Sequence, residues 1–112
     1  MGLSSNPDLE VLKDLAATIA SRKGADPASS YTASLLDKGV EKCARKFGEE
    51  AIEVILAAAS GDQDHTAAEA ADVLYHLLVL LEAADVPLDE VLAKLRAREG
   101  VSGHAEKASR AS

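Results

Sequence analysis

TAAEAADVLYHLLVLL, residues 66–81, shows none of the apolar–polar alternation of a strand, and its Ala and Leu suit a close-packed helix. From Ala70 to Leu81 it is apolar on nearly every side, interrupted by Asp72, Tyr75 and His76. That pattern predicts a central, buried helix. Thr66-Ala67-Ala68-Glu69 fits a capping box and sets the expected helix start at Thr66. Immediately upstream, Gly61-Asp62 closes a long helix expected from about Thr32 to Ala59. Its core stripe is Val40, Cys43, Phe47, Ala51, Val54 and Ala58, at spacings of three or four. Gly39 and Gly48 fall inside it, each at a cost of about 1 kcal/mol relative to Ala, which suggests close approach by something.

Two shorter helices complete the pattern. The first is expected from Asn6-Pro7, a good cap followed by a residue suited to the first helical position. It carries Leu9, Leu12, Leu15, Ala16 and Ile19 and ends at Arg22-Lys23-Gly24, before a loop from Ala25 to Ser30 broken by Pro27. The last opens at Val86-Pro87-Leu88 and runs through Val91, Leu92 and Leu95 to about Arg98. The fold class is therefore all-α, a bundle of about four helices in a single domain over residues 1–98, with residues 99–112 expected to be a disordered tail. Ile52, Ile55, Leu56 and Ala59 form a second apolar strip outside the core stripe. One small bundle cannot easily bury both strips, so a homodimer or higher homo-oligomer is expected.

Composition narrows the function classes. The 112 residues are 47% hydrophobic but only 3% aromatic, and the net charge is −7. Nucleic-acid binding depends on basic patches, so this balance argues against it, and against anionic membrane surfaces. The longest apolar run, Val73 to Leu81 interrupted by His76, is far too short to span a bilayer. A lone cysteine, Cys43, fits a reducing compartment, and Met1-Gly2-Leu3-Ser4-Ser5 lacks the pattern of a signal peptide. A soluble, cytoplasmic protein is expected.

Two acidic pairs carry the chemistry: Glu50-Ala51-Ile52-Glu53 and Glu69-Ala70-Ala71-Asp72. Each has helical spacing, which sets its two carboxylates on one face, and each lies in an apolar stretch where unbalanced charge is costly. With Phe47 at zero and about 100° per residue, Glu50 lies near 300° and Glu53 near 240°, flanking the core stripe. Glu49, near 200°, faces away, so Glu50 is preferred as a ligand, although the adjacent pair is ambiguous. On the next helix Glu69, Asp72 and His76 share a stripe. Antiparallel packing would bring Glu53 to Glu69 near the turn and Glu50 to Asp72 one turn deeper. Four converging carboxylates need cations between them, and magnesium, which takes oxygen ligands and bridges to phosphates, suits the set. Lys38, Lys42, Arg45 and Lys46 offer positive charge for phosphates, and phosphoryl transfer needs no nucleophilic Ser or Cys.

Each of these residues has a plainer explanation. Glu69 can be the reach-back residue of the capping box, and Glu50 and Glu53 can pair with Lys46, Lys42 or Lys38. Asp72 is harder to explain away, being mid-helix, of low helix propensity, and set among Ala and Val. Cys43 reads as packing, His76 as a core histidine or a group behind the metal ligands, and His65 and His104 as turn and tail residues.

Ser30-Tyr31-Thr32-Ala33-Ser34-Leu35-Leu36-Asp37-Lys38-Gly39, then Lys42 and Lys46-Phe47-Gly48-Glu49-Glu50-Ala51-Ile52-Glu53, and finally Glu69-Ala70-Ala71-Asp72-Val73-Leu74-Tyr75-His76-Leu77-Leu78 occur in that order. This series resembles the phosphoribosyl-ATP pyrophosphatase family, from about Leu9 to Arg98. That family belongs to the MazG-like all-α nucleotide pyrophosphohydrolases, whose signature is Glu-x-x-Glu followed by Glu-x-x-Asp. The resemblance implies hydrolysis of phosphoribosyl-ATP to phosphoribosyl-AMP and pyrophosphate in histidine biosynthesis, with magnesium (Mg2+) and a helical oligomer. It implies Glu50, Glu53, Glu69 and Asp72 as metal ligands and catalytic residues. It sets Ser30, Tyr31, Thr32 and Lys38 near the substrate, and Lys42 and Lys46 join them as binding candidates. Some relatives are fused to the cyclohydrolase of the next step; here that partner is expected to be a separate protein. The tail after Arg98 matches nothing in the family pattern.

Overall fold

A computed structural model describes Asp8 and residues 10–99 of the chain. Within them lie five helices and no strand: α1 (Glu10–Ser21), α2 (Tyr31–Asp37), α3 (Val40–Ser60), α4 (Gln63–Ala83) and α5 (Leu88–Ala97). The expected cap at Asn6-Pro7 and the tail from residue 100 onward lie outside the described residues.

The long second helix expected from Thr32 is in fact two. Ser30 caps α2 by accepting a hydrogen bond from the Ala33 N–H at 3.2 Å, and α2 stops after Asp37. The chain turns at Gly39, with φ 93° and ψ 173°, and the Gly39 carbonyl accepts from the Cys43 N–H at 3.2 Å to open α3. That backbone region is nearly closed to residues with a Cβ, so Gly39 separates two helices instead of sitting inside one. Because α3 starts only here, Val40 is exposed, and on this helix Cys43 and Ala57, not Ala58, are fully buried.

The turn between α3 and α4 is tight. Gly61, in the left-handed region at φ 81°, ends α3. Asp62 then caps α4, its carboxylate accepting from the His65 N–H at 3.0 Å. This corrects the expected start at Thr66: an Asp directly after the glycine is a better-placed cap, so α4 begins three residues sooner. Thr66 is already inside the helix, its hydroxyl bonded to the Asp62 carbonyl at 2.7 Å. So short a connection makes α3 and α4 an antiparallel hairpin, the main packing unit of the molecule.

Ile19, Leu35, Cys43, Leu78 and Val79 form the core, one or two residues from each of α1 to α4. The Cys43 thiol donates to the Leu35 carbonyl at 3.2 Å and ties α3 to α2, and burial pushes its pKa up. Leu88 brings the start of α5 against this core. The expectation of a wholly buried α4 holds for its C-terminal half, where His76, Leu78 and Val79 are buried. It fails toward the N-terminus, where Ala71 and Asp72 are exposed and Leu74 is 44% exposed. Since α1 and α2 meet α4 around Leu78 and Val79, the other end lies mainly against α3 among the described residues. The second strip on α3 is likewise bare, with Ile52, Ile55 and Leu56 at 57, 63 and 59% exposure.

Candidate functional site

The antiparallel hairpin brings three acids together. Glu50 comes from α3, and Glu69 and Asp72 from one face of α4; one carboxylate oxygen from each lies within 4.8 Å of the others. Glu50 and Glu69 are half-buried and Asp72 is exposed. Glu53 is exposed and stands outside this trio, one turn nearer the Gly61 corner. In this register Glu50 meets both acids of α4. Glu49 is exposed and lies 4.0 Å from the Lys46 ammonium.

Glu69 changes standing with the earlier start of α4. It lies in the second turn, too far along to reach back to the cap, so its explanation as a capping-box residue lapses. Its observed partner is His65, at 3.3 Å and one turn earlier. His65 is thus a helical residue and not the expected turn residue, because α4 starts at Gln63 and sets it i,i+4 from Glu69. On the other flank, Lys46 approaches Glu50 at 3.5 Å. The trio thus has a basic group on each side and only oxygen ligands at its centre. That donor set fits a hard divalent cation such as magnesium better than zinc or a soft metal.

His76 lies one turn beyond Asp72 and is only 6% exposed. Its ring stands edge-on to Tyr75, with centroids 4.9 Å apart, and to Tyr31 at 6.4 Å. Burial pushes its pKa below the usual histidine value; Glu50 opposes this, Lys46 adds to it, and Asp72 opposes it. The ring is therefore a core histidine within electrostatic reach of the acids.

Beside the trio lies a pocket of about 200 Å³ lined by Tyr31, Leu35, Lys38, Lys42, Arg45, Lys46 and Glu49. Four of the expected binding residues, Tyr31, Lys38, Lys42 and Lys46, meet here, and Lys46 also borders the acids. Ser30 and Thr32 do not line it. Ser30 is occupied as the cap of α2, and the Thr32 hydroxyl shares a 2.6 Å hydrogen bond with the Tyr75 hydroxyl. Both hold α2 in the position that presents Tyr31. Among the described residues Lys38, Lys42 and Arg45 have no ion pair.

Residues 12–99 match the family model described as phosphoribosyl-ATP pyrophosphohydrolase. A phosphoribosyl-ATP pyrophosphatase of Dinoroseobacter shibae is 66% identical over 102 residues, covering 91% of this chain and 100% of the relative. Another, from Cereibacter sphaeroides, is 66% identical over 91% of this chain and 99% of its own length. A third, from Ruegeria pomeroyi, is 64% identical over 91% of this chain and 97% of its own length. With the match covering residues 12–99 and both acidic pairs, the chain belongs to the phosphoribosyl-ATP pyrophosphohydrolase family.

Proposed function

We propose that this chain hydrolyses phosphoribosyl-ATP to phosphoribosyl-AMP and pyrophosphate, the second step of histidine biosynthesis, with magnesium held at Glu50, Glu69 and Asp72. The observation that carries this reading is the convergence of those three acids beside a pocket lined by four cations, three of them without an ion pair among the described residues. Acids alone would repel a triphosphate, and cations alone would bind it without activating water. When bound, magnesium supplies positive charge to the phosphate oxygens and lowers the pKa of a neighbouring water. Glu53, on the outer flank of the acids, is the fourth ligand candidate.

The protein's own groups orient the substrate. Lys46, between the acids and the pocket, spans both regions and keeps Glu50 turned inward. Lys38 and Lys42 take phosphate charge, and Tyr31 offers an aromatic edge to the nucleotide. Ser30 and Thr32 act on the substrate indirectly, through the placement of α2. The bare strips on α3 and α4 support a homo-oligomer, in which a second copy covers Ile52, Ile55, Leu56 and Leu74. No described helix is long and apolar enough to cross a membrane, and the unpaired thiol of Cys43 supports a reducing, cytoplasmic setting.

The deciding measurement is pyrophosphate release from phosphoribosyl-ATP, ATP and dUTP, each with and without magnesium. Magnesium-dependent release from phosphoribosyl-ATP in clear preference to the other two is expected. Preference for a simple nucleoside triphosphate would make the protein a house-cleaning enzyme of the MazG type. No turnover of any of them would leave a noncatalytic helical interaction module.

A further inference from the structure

We propose that the pocket formed by Lys38, Lys42 and Arg45 is the leaving-group site, which holds the pyrophosphate half of the triphosphate during cleavage. This rests on the pyrophosphohydrolase reading above and assigns one part of the substrate to one part of the surface.

Size comes first. At about 200 Å³ the pocket is smaller than the 300–1,000 Å³ usual for whole ligands, so it takes a fragment of a nucleotide. Charge comes second. In a chain of net charge −7, three neighbouring cations stand without an acidic partner among the described residues. All three are exposed, and the one acid in the lining, Glu49, lies by Lys46 at 4.0 Å, so the three are available to an incoming anion, and pyrophosphate carries more charge than a phosphomonoester. Position comes third. Lys46 lies 3.5 Å from Glu50 and also lines the pocket, so the acids and the cations form one continuous surface. Along α3, Lys46 is about 6 Å and Lys42 about 12 Å from the level of Glu50, at 1.5 Å per residue. A triphosphate whose first phosphorus lies at the acids extends toward Lys46 at the mouth of the pocket, where the long Arg45 and Lys42 side chains reach its far phosphates.

The bond changes then place charge where the cations are. The water oxygen bonds to the phosphorus nearest the nucleoside, and the bond from that phosphorus to the bridging oxygen breaks. The electron pair stays on the bridging oxygen, which departs as part of pyrophosphate, while the water's proton passes to solvent. Negative charge therefore grows on the group lying against Lys42 and Arg45, and fixed cations at that point favour the transition state over the bound substrate.

Lys42→Gln and Arg45→Gln test this, with Arg45→Lys as the conservative partner. The readouts are turnover of phosphoribosyl-ATP, inhibition by added pyrophosphate, inhibition by ribose 5-phosphate, and the rise in melting temperature that pyrophosphate with magnesium produces. The expected result is a fall in kcat and about a tenfold or greater loss of pyrophosphate affinity in both Gln variants, as for a lost charged hydrogen bond. Partial recovery is expected in Arg45→Lys, and ribose 5-phosphate inhibition is unchanged. Unchanged pyrophosphate affinity in both Gln variants overturns the assignment, and weakened ribose 5-phosphate inhibition in its place reassigns the pocket to the phosphoribosyl end. The underlying reading fails separately, through absence of phosphoribosyl-ATP turnover in the unmodified protein. The pyrophosphate-dependent melting shift still judges the pocket in that case.

Discussion

At Glu50 two demands meet in one carboxylate: an ion pair to Lys46 at 3.5 Å and convergence on Glu69 and Asp72. Removing a charge from such a group relieves repulsion when no cation is bound, but removes a ligand when one is. Glu50→Gln and Asp72→Asn are therefore expected to be neutral or slightly stabilising without magnesium, and to lose the magnesium-dependent rise in melting temperature. Turnover should drop about 100-fold or more in each. A melting-temperature rise with magnesium that survives in both variants would remove these acids from the site. His76 makes a second test, through pH. Its folded-state pKa is depressed by burial, so the folded protein binds its proton less readily than the unfolded chain. Stability linked to this group is complete above the unfolded value of 6.5 and is lost as pH falls below it. Melting curves between pH 7.5 and 5 should show this decline, and His76→Phe should flatten it. The sequence already showed which residue types matter here. It did not show which acids meet, because that depends on helix register, and the spacing of Glu53 is as good as that of Glu50.

Helix boundaries are where sequence and structure part. A glycine inside a helix costs about 1 kcal/mol, too little for a pattern of apolar residues to register a break. What separates α2 from α3 is the backbone angle at Gly39, which periodicity does not encode. The two glycines of this region should accordingly respond in opposite directions. Gly39→Ala keeps open space around its new methyl group but forces a strained φ, so it should destabilise by about 1–3 kcal/mol. Gly48 has ordinary helical φ and nothing within 4 Å of an added Cβ, so Gly48→Ala should stabilise by up to about 1 kcal/mol. Denaturant titration of both variants checks the signs. If Gly48→Ala gains stability yet loses turnover, the close approach at that position is made by substrate or by a second copy. The start of α4 was misplaced for a related reason: Asp62 and Thr66 are both good caps, and only the left-handed turn at Gly61 selects the earlier one.

For the molecule as a whole, the all-helical class and the pairing of the two long helices were legible from apolar spacing. Less legible was how unevenly the core would be distributed. The exposed strip of Ile52, Ile55 and Leu56 predicts self-association, measurable by sedimentation, and Ile55→Glu should shift the protein toward monomer. Each such side chain covered by a partner contributes about 1.5–3 kcal/mol, enough for a single charge there to matter. Failure to self-associate at any accessible concentration would leave the strip without this explanation. One end of the molecule, around Leu78 and Val79, is packed by three other helices, while Glu69 and Asp72 stand on the opposite half of the same helix α4. Opening of that half exposes little that is not already exposed, so it should cost less than global unfolding. Along one rod, then, the densest packing and the acids occupy opposite halves. The acidic end can be rewritten with small loss of overall stability, and the order that packing withholds from it is left for metal, substrate and neighbouring subunit to impose.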